Sequence, residues 1–106
     1  MSKMIRFQVA LAAMVLLAGS VCFAVSEGEA TYKAKCQICH GATGTPSAAM
    51  AKAMGVKPIS DPAIKKMTAE QLFAVVKNGK GKMKPVAGLS DTQIKDVVAF
   101  YKGLEK

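Results

Sequence analysis

Five residues constrain this chain more than any others: Cys36-Gln37-Ile38-Cys39-His40. Two thiols three positions apart, followed at once by an imidazole, can grip one flat group along a single turn of chain. The cysteines are spaced to add to the two vinyl groups of a porphyrin, and the histidine then lies under the ring and can bind its iron axially. The run therefore reads as the attachment site of one covalently held haem c, with Cys36, Cys39 and His40 as cofactor-binding residues and His40 as a metal ligand. A chain built around such a group has to wrap it.

Other readings of the motif are weaker. A thioredoxin-like redox pair needs a βαβ context, and no strand pattern surrounds it. A structural zinc site needs four ligands, usually cysteine and histidine. Beyond Cys22, the chain offers two cysteines and one histidine. Three fixed positions in five can also match by chance, but the motif falls in a chain that reads as exported, where this modification is made.

Residues Met1–Ala24 resemble a secretory leader. Lys3 and Arg6 supply a positive start, Val9–Ala18 is an unbroken apolar run, and Cys22-Phe23-Ala24 offers small residues where a signal peptidase reads. Cleavage after Ala24 leaves residues 25–106 as one domain and predicts a periplasmic protein. Phe7–Ser26 is uncharged over a length that spans a bilayer, so an uncleaved anchor is the rival. A lipoprotein centred on Cys22 is disfavoured by the bulky Val21 before it.

Cleavage also removes Cys22 and leaves both remaining thiols in the motif, with none spare for a structural disulfide. A domain of this size has a marginal apolar core. A covalent haem supplies the missing apolar surface, and the apoprotein is expected to fold poorly.

The net charge of +8 falls to +6 without Lys3 and Arg6. No arginine follows Arg6, and no aromatic platform interleaves the lysines. Nucleic acid is thus an unsuitable partner. Acidic protein surfaces suit the charge best, with membrane contact only through partner complexes unless the leader stays attached.

The pattern along the chain is helical. Glu27–Lys35 predicts a short helix with Gly28 and Tyr32 on one face. Thr45-Pro46 is expected to cap an Ala-rich helix through Met54, stopped by Gly55. Asp61-Pro62 opens a short helix to Met67. Thr68-x-x-Gln71 and Ser90-x-x-Gln93 are capping boxes. They start helices with apolar stripes at Leu72, Val75 and Val76, and at Ile94, Val97, Val98, Tyr101 and Leu104. Period-two alternation is nowhere sustained. The expected class is all-α, with three to five helices.

His40 is the only histidine, so a second histidine ligand within the chain is excluded. Met50, Met54, Met67 and Met83 remain as sulfur donors after the leader. Met83 sits in the Gly- and Pro-punctuated stretch Asn78–Pro85, between two capped helices, where packing explains a methionine poorly and backbone freedom lets a loop approach a porphyrin face. Met83 is the expected second axial ligand, with Met67 and Met54 as alternatives. Lys82 and Lys84 flank it and compete once deprotonated.

On these residues the chain resembles a class I cytochrome c of the small bacterial single-haem kind, over essentially all of Ser26–Lys106. The motif lies early in the domain, Gly28-x-x-x-Tyr32 precedes Cys36 by four residues, and Val98 and Tyr101 match the apolar-aromatic pair of the family's last helix. The Asn78–Pro85 loop resembles the family's methionine loop, although Lys84 stands between Met83 and the proline. The resemblance implies a small class I fold whose first and last helices cross at Gly28, Tyr32 and Tyr101. It also implies a proline carbonyl, from Pro46 or Pro58, that orients His40.

In function it implies a non-enzymatic, one-electron carrier with His/Met ligation and redox proteins as donors and acceptors. The cluster Lys77, Lys80, Lys82 and Lys84, with Lys33 and Lys35, is expected to meet acidic partners. The alternatives are a ligand sensor or peroxidatic haem with a displaceable sixth ligand, or a module fixed to one enzyme.

Overall fold

The computed structural model describes residues 27–105. The expected leader lies outside the described residues. The helical elements are α1 (residues 27–35), α2 (Gln37–His40), α3 (Ala48–Met54), α4 (Pro62–Lys65), α5 (Ala69–Asn78) and α6 (Asp91–Gly103). Among the described residues there is no strand, only an isolated bridge between Lys80 and Met83. The all-α expectation holds, with six segments where three to five were expected. The extra one is the motif itself: Cys36 breaks α1, and residues 37–40 close a turn of their own.

Local chemistry sets most boundaries. Both capping boxes form, with Thr68 and Gln71 bonded reciprocally at 3.1 and 2.9 Å and Ser90 and Gln93 at 3.2 and 2.8 Å. Each satisfies two amides that a helix start leaves orphaned. Asp61 accepts from the Ala63 amide, with Pro62 at the first helical position. Two boundaries differ from expectation. Ser47, not Thr45, caps α3, because its hydroxyl accepts the Met50 amide at 3.2 Å. The helix opened by Pro62 ends at Lys65, two residues before Met67.

The core lies between α5 and α6. Leu72, Ile94 and Val98 are buried together, with Met67, Phe73, Val76, Leu89 and Tyr101 packed around them. α1 crosses α6 at Gly28, where a Cβ would run into the Asp96 carbonyl and lie 3.1 Å from the Phe100 Cβ. One turn on, Tyr32 is buried, stacked on Tyr101 and tilted against Phe100, with ring centroids 6.1 and 5.3 Å apart. The expected crossing of first and last helices is therefore present, with Gly28 permitting the approach. No described helix is long and apolar enough to cross a membrane.

Candidate haem site

The motif is held from three sides. The break at Cys36 places both cysteines on one short stretch: the Cys39 and His40 amides both return to the Cys36 carbonyl, at 3.2 and 3.0 Å. Both thiols are free and partly buried. Burial pushes the Cys36 thiol up, and the neighbouring Cys39 adds to the rise. The Tyr101 ring meets the His40 ring edge-on, with centroids 5.7 Å apart. The Tyr32 hydroxyl donates to the Gly41 carbonyl at 2.6 Å and so pins the backbone that follows the histidine. The Ile59 amide donates to the Gly44 carbonyl at 2.9 Å, which brings the Pro58 segment against the same turn.

His40 is shaped to be a ligand. Burial lowers its pKa, which keeps the imidazole neutral with a lone pair to give. Its Nδ1 is buried without a hydrogen-bond partner among the described residues. Neither the Pro46 nor the Pro58 carbonyl receives it. A buried polar atom left orphaned in this way calls for a functional reason.

Met83 stands in a turn of different character. Lys80 and Met83 exchange backbone hydrogen bonds of 2.9 and 3.0 Å around Gly81 and Lys82. Gly81, with φ of 58°, supplies the positive φ such a two-residue turn needs. Gly79 closes the base: a Cβ there would lie 2.7 Å from the Met83 carbonyl and 2.9 Å from Pro85. The Val86 amide then returns to the Val76 carbonyl on α5 at 2.9 Å. Met83 is partly buried in this turn. The other methionines have different settings. Met67 packs on the α5–α6 core, and its carbonyl accepts from the Lys102 ammonium. Met54 is an exposed residue at the end of α3.

With this arrangement described, comparison with known proteins gives one decisive match. The family model of cytochrome c oxidase, cbb3-type, subunit III matches residues 23–100. The chain belongs to this family. It is a small c-type cytochrome. A solved structure, the KustC0563 c-type cytochrome, is similar in fold, with a TM-score of 0.66 and 24% identity over 74% of this chain and 98% of that one. No curated protein matches the cytochrome.

Such a domain carries haem c, covalently bound, with its iron. The residues fit the group: two free thiols on one turn, a neutral imidazole with an orphaned Nδ1, and a thioether on a glycine turn. Among the described residues no three His, Cys, Asp or Glu side chains gather as ligands.

Sequence reasoning missed two contacts. It read Tyr32 as a packing aromatic and did not foresee the hydroxyl bond to Gly41. Nor does the spacing foretell that the Lys82 ammonium donates to the Ala53 carbonyl at 3.1 Å. Lys33 pairs with Glu29 and Lys77 with Asp91, each at 3.1 Å. Lys35, Lys80 and Lys84 have no such partner among the described residues.

Proposed function

We propose that this cytochrome is a soluble periplasmic carrier of single electrons, with haem c attached at Cys36 and Cys39 and its iron held axially by His40 and Met83. The observation that carries the reading is the contrast among the methionines. Met67 has a core to fill, Met54 is exposed and the half-buried Met50 sits within the helix α3, but Met83 is half-buried on a turn shaped by its glycines.

Bound haem supplies a reversible one-electron couple at iron. The chain supplies everything else. His40 stays neutral through burial and is steadied by the Tyr101 ring and by the Tyr32 bond to Gly41. A thioether from Met83 favours the reduced state, and an apolar surround does the same because the oxidised centre carries one more positive charge. With His40 and Met83 both holding the iron, no position would be left for a substrate, and the role would be transfer rather than turnover. Lys35, Lys80 and Lys84 remain as charges to steer acidic redox partners.

The test is the absorption spectrum of the oxidised holoprotein. The wild type is expected to be low-spin, with the weak far-red band of a sulfur–iron(III) bond, and Met83→Ala is expected to lose that band. A high-spin wild type would instead indicate an open sixth position and favour ligand sensing or peroxidatic chemistry.

A further inference from the structure

The turn that carries Met83 is tied locally by its backbone. Lys80 and Met83 pair with each other, and Val86 pairs with Val76 on α5. These bonds set the shape of the turn and its base. They do not reach the opposite side of the molecule. Among the described residues, the one side-chain hydrogen bond that leaves this turn is that of Lys82, at its tip. The Lys82 ammonium donates to the Ala53 carbonyl at 3.1 Å, across 29 residues of sequence.

The acceptor is well chosen. In α3 the Gly55 amide takes the Ala51 carbonyl, which leaves the last carbonyls of the helix without helical partners. They form the negative end of the helix dipole, where an ammonium is favoured. α3 itself has no buried residue, so side-chain packing anchors it weakly. Lys80 and Lys84 share the turn with Lys82 and make no comparable bond among the described residues.

We propose that Lys82 is a positioning residue: its ammonium latches the Met83 turn to the C-terminal end of α3 and so keeps the methionine on the iron. The inference rests on Met83 being the sixth ligand. Displacing that ligand requires the turn to swing away, and the latch has to break first. Its loss makes the sixth position easier to invade.

The test is an imidazole titration of the oxidised holoprotein, following the far-red band, for the wild type, Lys82→Ala, Lys82→Arg, Lys80→Ala and Lys84→Ala. The titration is run at about pH 8, where imidazole is mostly neutral, so loss of a lysine charge does not by itself alter its attraction to the site. Lys82→Ala is expected to bind imidazole about two- to fivefold tighter, the scale of one exposed charge-assisted bond. Lys82→Arg is expected to stay near the wild type, because a guanidinium can donate to the same carbonyl. Lys80→Ala and Lys84→Ala are expected to match the wild type. Equal behaviour of all three alanine variants, whether unchanged or equally tighter, would overturn the latch. Met83→Ala is run alongside. If it keeps the far-red band, the ligand assignment fails and the latch with it. If it loses the band while Lys82→Ala binds imidazole as the wild type does, the latch alone fails.

Discussion

Tyr32 joins three parts of the site at once. It is 1% exposed, it stacks on Tyr101 and meets Phe100 at a tilt, and its hydroxyl donates to the Gly41 carbonyl. Its pKa is pushed from the ordinary 10.0 up to about 12, chiefly by burial, with Tyr101 and Cys36 adding and a Gly44 backbone bond opposing. The folded protein therefore keeps this proton when the unfolded chain has released it. Stability from Tyr32 is whole below about pH 10 and drains away as pH rises towards about 12. Tyr32→Phe leaves the Gly41 carbonyl without its donor and is expected to cost about 1–2 kcal/mol in denaturant unfolding of the holoprotein. The same variant is expected to flatten the alkaline fall in stability. Gly28 gives a second residue-scale prediction. A methyl group there meets the Asp96 backbone, which cannot swing aside as a flexible side chain could. Gly28→Ala is expected to destabilise by about 1–3 kcal/mol, read in the same unfolding experiment.

At the scale of elements, the helix starts were legible because their chemistry is local. Thr68 with Gln71 and Ser90 with Gln93 are three residues apart, so the sequence spacing already contains the bonds that form. Ser90→Ala is expected to cost about 1 kcal/mol, seen as a lower denaturation midpoint at unchanged slope. The start of α3 was misplaced because Thr45-Pro46-Ser47 offers two hydroxyls, one on each side of the proline, and only geometry decides that Ser47 reaches the Met50 amide. The end of α1 at Lys35 agrees with the expected Glu27–Lys35 helix, whereas the short α2 turn was not foreseen, because it is closed by the Cys36 carbonyl accepting the His40 amide and has no capping residue to mark it. The glycine turn around Met83 was legible from composition, since a positive φ leaves its mark as glycine. The Lys82 bond to Ala53 was not, because nothing local ties a lysine to a carbonyl 29 residues away.

At the scale of the whole molecule, the motif foretold the cofactor and the apolar stripes foretold the α5–α6 core. Of the lysines proposed to steer acidic partners, Lys33 and Lys77 pair with Glu29 and Asp91, while Lys82 bonds the neutral Ala53 carbonyl and keeps its charge. Electron transfer to an acidic redox partner is accordingly expected to slow as ionic strength rises, and a rate indifferent to salt would remove the steering role. Ligation of the iron by Met83 is read from a proton magnetic resonance spectrum of the reduced holoprotein. A methionine methyl bound over the porphyrin face lies in the ring current and is shifted far upfield. One such three-proton resonance is expected in the wild type, present in Met50→Ala, Met54→Ala and Met67→Ala and absent in Met83→Ala. Its persistence in Met83→Ala, or its loss in any of the other three, would show that another residue holds the iron.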